Sequence, residues 1–283
     1  MKILITGYSG FVGRKLLEKI KKQYEIVLLG RKKIKKRKSI IFNFNSLSEL
    51  KKILNKNQPD VIINLAAVAN FKNKLKIMKL INEQVPKIFA EYCKKNKAYL
   101  LHTSGTLVHG DKKNYSKFTK YKPNNYYAKT KLNGDKYIIK SKCKYSILRL
   151  PGIFGFNGPN HLGLNNFIMN KLAKKKINFT GNLKSKRNYI FVEDVVKIIL
   201  KHIKFKTKGI RYFAGETLTF KQILKIIEKI IVPKIKIKII KSRQKTGHQI
   251  VIPSQKNTFT SFSKSLKIIK NEYRISLRHP RQL

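Results

Sequence analysis

The feature that most constrains the fold is the start of the chain. An apolar run, Ile3-Leu4-Ile5, meets glycines at Gly7, Gly10 and Gly13, and then Leu16, Leu17 and Ile20 take up helical spacing. A short run of this kind becomes a strand buried on both faces. A strand that turns tightly into a helix leaves unpaired backbone N–H groups at the helix start, and these attract phosphate. Gly7 takes the tight turn, Gly10 lets a pyrophosphate approach the backbone, and Gly13 allows close helix–strand packing. The spacing is G-x-x-G-x-x-G rather than G-x-G-x-x-G, and glycines alone often mark only a turn. Here strand, turn and helix stand in the required order, which predicts a dinucleotide site.

A chain of 283 residues can build one large α/β domain, or a nucleotide domain plus a smaller lobe. No apolar stretch is long enough to span a bilayer, and residues 1–30 lack a signal peptide's layout, so the expected location is cytoplasmic. Cys93 and Cys143 fall in unrelated segments and are expected to be free thiols. The histidines form no H-E-x-x-H pattern and no C-x-x-C occurs, so no metal site is expected.

The formal charge of +52 admits two readings. One is a binder of nucleic acid or anionic membrane. The other is compositional drift, because Lys, Asn and Ile are enriched throughout. The lysines are spread over the polar faces of most expected helices, and no RNA-recognition signature or stacking platform accompanies them. Nucleic acid is therefore not expected as the main partner. A basic surface still suits polyanionic substrates such as nucleotide diphosphates.

Further strands are expected at residues 25–29, 40–44, 61–65, 98–103 and 145–150. Between them lie helices marked by Leu47, Leu50, Ile53 and Leu54, by residues 76–95 with Asn82 among apolar neighbours, and from Tyr126 onward. This alternation argues for a Rossmann-like, doubly wound parallel sheet. The second strand runs into Gly30-Arg31, with no acid to bind ribose hydroxyls. Arg31 suits a 2′-phosphate, so NADP is favoured over NAD. Asn43 stands where an acid often meets the adenine, and the small residues of Leu65-Ala66-Ala67 allow the backbone to approach a cofactor. Later expectations are a helix with Phe167, Ile168 and Leu172, a helix to about His202, a strand near 210–214, a helix at 219–231, an alternating run at 235–240 and a last helix at 263–272.

Tyr127 and Lys131 are four apart, so on a helix they share one face. An ammonium near a phenol favours the phenolate and makes an acid/base usable near neutrality. Tyr126 competes, but its fourth neighbour is Thr130.

With these residues in hand, the chain resembles the NAD-dependent epimerase/dehydratase family, the extended short-chain dehydrogenases that act on nucleotide sugars. The resemblance rests on I-L-I-T-G-Y-S-G-F-V-G, N-L-A-A, T-S-G-T-L-V-H-G, Y-A-K-T-K, L-R-L-P-G-I-F-G and R-N-Y-I-F-V-E-D-V, in this order over most of the chain. It implies a cofactor domain at 1–155, with elements near 189–214 returning to it, and a lobe at 156–283 that mainly binds the sugar nucleotide. It implies cofactor contacts from Gly7, Tyr8, Ser9, Gly10, Phe11, Val12, Gly13, Arg31, Leu65, Ala66, Ala67 and Lys131. Tyr127 resembles the proton-transfer tyrosine, and Lys131 the lysine that binds the nicotinamide ribose and lowers the tyrosine pKa. Counting back from Val108-His109-Gly110, the usual catalytic hydroxyl position falls on Gly105, so Ser104 is the choice and Thr106 the reserve. His109 replaces the usual tyrosine. Arg187 resembles an arginine on the substrate diphosphate, and Asn166 an asparagine near the same phosphates, with Asn165 competing. Two-fold dimers are common among relatives, so a homodimer is a possibility the resemblance brings.

The implied chemistry is hydride transfer between a nicotinamide and a carbon of a nucleotide-diphospho-sugar, with Tyr127 moving the proton and Ser104 binding the carbonyl oxygen. A 4,6-dehydratase needs an acid–base pair where Thr106 and Leu107 stand, which disfavours dehydration. A keto-sugar reductase and a 4-epimerase that retains NAD remain, with Arg31 leaning toward the reductase. A non-catalytic relative that binds a nucleotide or RNA is the reading from another class.

Overall fold

The computed structural model describes residues 1–35, 37–69, 75–175, 177–231, 237–240, 247–256 and 258–278. Its elements begin with β1 (Lys2–Thr6), α1 (Phe11–Lys19), β2 (Glu25–Gly30), β3 (Ser39–Ile41), α2 (Leu47–Asn57) and β4 (Val61–Asn64). Next come α3 (Leu75–Lys79), a π-helical turn (Leu80–Gln84), α4 (Val85–Lys95), β5 (Tyr99–Gly105), a 3-10 turn (Thr106–His109) and β6 (Asn114–Tyr115). These lead to α5 (Tyr126–Ser141), β7 (Lys144–Leu150), β8 (Ile153–Phe154), α6 (Gly163–Leu172), β9 (Ile177–Thr180), β10 (Lys186–Arg187), β11 (Ile190–Phe191) and α7 (Val192–Phe205). The chain continues through β12 (Gly209–Tyr212), β13 (Leu218–Thr219), α8 (Phe220–Ile230), β14 (Ile237–Ile240), β15 (Ile250–Val251) and α9 (Phe262–Arg278).

Seven strands form one sheet in the order β12-β7-β5-β4-β1-β2-β3, and every neighbouring pair is parallel. The central strands are apolar throughout because helices cover both faces: Ile3, Leu4, Ile5, Val61, Ile62 and Ile63 are all fully buried. The strand order reverses direction between β1 and β4. That reversal opens a crevice outside the carboxyl ends of these strands, where open α/β sheets place their ligands.

Two compact units make up the chain. The first comprises Met1–Asp111, Lys117–Leu150 and Val195–Tyr212. It contains the large sheet and a core built from Leu4, Leu29, Leu50, Ile62, Phe89, Leu100, Ile138 and Ile147, together with the free, buried Cys93 and Cys143. The second comprises Lys112–Ser116, Pro151–Asp194 and Phe213–Leu283. Its strands pair two by two, as β10 with β13, β8 with β11, β9 with β14 and β6 with β15. Phe154 packs on both Phe191 and Phe262 at its centre, and a Thr219–Gln222 capping box opens α8.

Three expected elements differ from what forms. The strand expected at 40–44 ends at Ile41, because Phe44 takes a positive φ of 57° and pairs edge-on with Phe42 instead of extending the ladder. The helix expected over 76–95 is interrupted by the π-helical turn at Leu80–Gln84. Pro86, which has no N–H, removes a helical bond there, and the buried Asn82 side chain binds Val68 through both its N–H and its C=O. The last helix runs on to Arg278. Of the alternating run at 235–240, residues 235 and 236 lie outside the described residues and the remainder is β14. No helix among the described residues is long and apolar enough to cross a membrane.

Candidate active site

The glycine turn is shaped by close backbone approach. Gly7 has φ +67°, and a Cβ there would lie 2.6 Å from the Ala66 nitrogen. A Cβ on Gly13 would lie 2.3 Å from the Gly7 carbonyl oxygen. Any side chain at either position collides with backbone, so the β1–α1 connection can follow this path only with glycine. Gly10 is the N-cap of α1 with no side chain over the helix end, and the first turn holds no acid. The first N–H groups of α1 have no partner within the helix and form an uncovered anion site beside the sheet crevice. Leu65 and Ala66 are half-buried and Ala67 is exposed, next to this turn. The residues present therefore fit a dinucleotide diphosphate, with Ser9 exposed and Phe11 and Val12 half-buried.

Tyr8 does something the sequence did not suggest. Its side chain is buried, its ring lies 3.0 Å from an ideal Cβ on Gly30, and its hydroxyl donates to the Lys32 carbonyl. The side chain thus braces the end of β2, and only its backbone remains for a ligand. Arg31 and Asn43 are both exposed beyond β2 and β3. Arg14, also exposed, donates to the Ser9 carbonyl at 2.9 Å.

The second part of the site lies at the ends of β5 and β7 under α5. Asn125 caps α5 by accepting from the Ala128 N–H at 2.8 Å, and this places Tyr127 in the first turn and Lys131 one turn on. Tyr127 is half-buried, whereas Lys131 is buried. The Lys131 ammonium donates to the Thr103 carbonyl at 2.8 Å and lies 3.2 Å from His102 Nε2. Asp135, a further turn along α5, is fully buried and bound by the Arg149 guanidinium. Ser104 Oγ donates to Asp135 Oδ2 at 2.8 Å and also receives Arg149. Arg149 stacks over the Tyr121 ring, which in turn stacks on His109, and His109 Nε2 lies 2.9 Å from the Tyr212 hydroxyl.

The electrostatics of this cluster differ from the expectation that Lys131 depresses Tyr127. Burial raises the Tyr127 phenol, and the Asp135 charge adds to that shift. Burial pulls Lys131 down to about 8, opposed by Asp135 and reinforced by Arg149. His102 is pushed well below its usual range by burial and then by the cations Lys131 and Arg149, so its ring is neutral. At neutral pH the arrangement presents a protonated phenol and, one turn further along α5, a buried ammonium. That suits proton donation to an oxygen that is gaining charge.

Sequence reasoning named Tyr127, Lys131 and Ser104 and missed the groups that lie between them. His102, Asp135 and Arg149 are the connecting groups. Two of them carried a signal: a His in Tyr-Leu-Leu-His-Thr and an Arg in Ile-Leu-Arg-Leu are polar residues inside apolar strands, which demand buried partners. Ser104 is committed within this network, and Gly105 follows it. Thr106 opens the 3-10 turn, buried but outside the network.

Arg187 and Asn166 belong to the second unit. Arg187, half-buried in β10, donates to the Gly247 carbonyl at 2.7 Å and lies over the Phe220 ring. Asn166 is exposed on α6 and accepts from Asn170. Its competitor Asn165 is fully buried and ties down the loop through Gly155 N and Ile153 O. Among the described residues no group of His, Cys, Asp or Glu is arranged to hold a metal ion.

Comparison with known proteins identifies the family and the fold. The family model described as NAD dependent epimerase/dehydratase matches residues 3–215. GDP-6-deoxy-D-talose 4-dehydrogenase of Aggregatibacter actinomycetemcomitans is 28% identical over 217 residues, covering 72% of this chain and 70% of its own. UDP-glucuronic acid 4-epimerase from Bacillus cereus, solved with NAD, superposes with a TM-score of 0.82 at 20% identity over 97% of this chain and 99% of that one. A dTDP-4-dehydrorhamnose reductase from Bacillus anthracis, solved with NADP, gives 0.78 at 18% identity, covering 96% and 99%. The chain belongs to the NAD-dependent epimerase/dehydratase family, nicotinamide-dependent enzymes of the extended short-chain dehydrogenase type.

Proposed function

We propose that the protein is a keto-sugar reductase acting on a nucleotide-diphospho-sugar, with NADP preferred. The observation that carries this reading is the protonated Tyr127 phenol one turn before the buried Lys131 on α5, whose ammonium donates to the Thr103 carbonyl in β5. The glycine turn and α1 would hold the dinucleotide diphosphate, Leu65 to Ala67 would line its path, and Arg31 would meet a 2′-phosphate. When bound, the reduced nicotinamide supplies the hydride for the sugar carbonyl carbon. Tyr127 gives its phenolic proton to the carbonyl oxygen as that oxygen gains charge, so a C–H and an O–H bond form and the C=O π bond is lost. Lys131 stabilises the phenolate left behind. Of the two candidate hydroxyls, Ser104 already serves Asp135 and Arg149, which favours Thr106 for holding the carbonyl oxygen. Arg187 and Asn166, with the second unit as a sugar-nucleotide lobe, would take the substrate diphosphate.

The test is a cofactor titration followed by turnover. NADPH and NADH are titrated by fluorescence, and NADPH oxidation is then followed with a 4-keto sugar nucleotide. Stoichiometric consumption supports the reductase. Interconversion of UDP-sugars without net consumption means a 4-epimerase instead. Salt-sensitive RNA binding without dinucleotide affinity would replace both readings with a non-catalytic one.

A further inference from the structure

Four polar side chains form one line across the carboxyl ends of β1, β4 and β5 to α5. Thr6 Oγ1 lies 2.7 Å from Asn64 Oδ1, Asn64 Nδ2 lies 3.0 Å from His102 Nδ1, and His102 Nε2 lies 3.2 Å from Lys131 Nζ. Thr6, Asn64 and His102 are 0% exposed and Lys131 is 2% exposed, so the line is shielded from bulk solvent. The line crosses the point where the strand order reverses, and Thr6 is followed directly by Gly7.

Where His102 Nε2 pairs with Lys131 rather than with Asp135, donor and acceptor counting leaves this line two directions. An ammonium only donates, a neutral imidazole has one donor and one acceptor, and an amide and a hydroxyl can each do both. With Lys131 charged, it donates to Nε2, Nδ1–H donates to the Asn64 carbonyl oxygen, and the Asn64 amide N–H donates to Thr6. With Lys131 neutral, Nε2–H donates to Nζ, Nδ1 accepts from the Asn64 N–H, and the Thr6 hydroxyl donates to Oδ1. The Asn64 amide as placed, with Nδ2 toward His102 and Oδ1 toward Thr6, belongs to the second direction; the first needs it turned over, which exchanges atoms of equal size. An Nε2–H facing an ammonium would set two donors 3.2 Å apart. The other groups acting on this pair are Asp135 of α5, whose Oδ1 is 3.4 Å from Nε2, and Arg149 of β7, which is bound to Asp135; the Tyr127 phenol of α5 feels the same Asp135 charge.

We propose that His102 is a positioning residue for proton transfer: through Nε2 it holds the Lys131 ammonium, and its ring tautomer switches together with the charge on Lys131. This rests on the assignment of Tyr127 and Lys131 as the proton-transfer pair. Two of the three ammonium donors are then fixed, one on Thr103 O and one on His102, so the third points in a single direction.

The experiment uses the full chain labelled with ring-15N histidine and follows the imidazole nitrogens from about pH 6 to about pH 10. The expected result is a neutral His102 carrying its proton on Nδ1 at low pH. It converts to the Nε2–H tautomer as Lys131 loses its proton near the value of about 8 that burial gives it. In Lys131→Met the conversion disappears. An imidazolium, or Nε2–H donated to Asp135 at every pH, overturns the proposal. In the activity arm, His102→Phe is expected to lower kcat about tenfold with KM little changed, and to move the basic limb of the kcat profile down by about one pH unit. His102→Gln, whose amide oxygen accepts from Lys131, is expected to restore most of the rate. Equal losses in both variants with an unmoved pH profile also overturn it. The resonance arm needs no substrate, so a wild-type protein without turnover would sink the reductase reading and leave the tautomer result standing.

Discussion

The two halves of the candidate site are built from different materials. Around Gly7, Gly10 and Gly13 the site is backbone: N–H groups at the start of α1, a turn that excludes every Cβ, and small residues after β4. Under α5 it is side chain: His102, Ser104, Lys131, Asp135 and Arg149, drawn from two strands and one helix and almost wholly buried. A backbone site is cheap to keep, because its donors are those the helix leaves unpaired anyway. A buried charged site is costly, because each ion loses its water and is repaid only by its neighbours. The first half should therefore fail in binding, and the second in chemistry and folding.

Four substitutions sharpen or break that contrast. The largest effect is expected from Tyr127→Phe, which should cut turnover about 10³-fold while dinucleotide affinity, by fluorescence titration, stays within about twofold. Normal rates in this variant would remove the proton-transfer assignment. Asp135→Asn leaves the Arg149 guanidinium buried without its counter-charge and should cost about 3–5 kcal/mol in a denaturant titration. A loss under about 1 kcal/mol would mean that the buried pair is weaker than its geometry implies. Gly13→Ala places a methyl group against the Gly7 carbonyl; the expected outcome is about 1–3 kcal/mol of strain, with at least about tenfold weaker dinucleotide binding. If affinity is unchanged, the turn does not carry the cofactor. The smallest effect belongs to Arg31→Ala, which is exposed and should weaken NADPH about tenfold and leave NADH alone. Equal loss of both would deny the 2′-phosphate contact.

The same contrast explains what could be read early. The glycine spacing, the apolar runs of β1, β4 and β5 and the Tyr127–Lys131 repeat are local patterns. Period and spacing decide them, and the strand–turn–helix start, the parallel sheet and the shared helix face all formed. The interruption at Leu80–Gln84 was only half legible: Pro86 stands in the sequence, but Asn82 reaching Val68 is a contact that no helical periodicity reports. The inward turn of Tyr8, which answers to Gly30 at the end of the neighbouring strand, was not legible.

By itself, the sequence determined the fold class, which follows from short-range backbone chemistry and hydrophobic period, and the family, which its motifs carried as a resemblance. Only the tertiary structure decided the environment of the reactive groups. Parallel register sets Asn64 beside His102 and Ser104 beside Arg149, and α5 lays Lys131 and Asp135 over them. Burial at that junction raises the phenol, lowers the lysine and neutralises the histidine. Those shifts come from desolvation and from charges brought together by the sheet, and neither exists until the chain has folded.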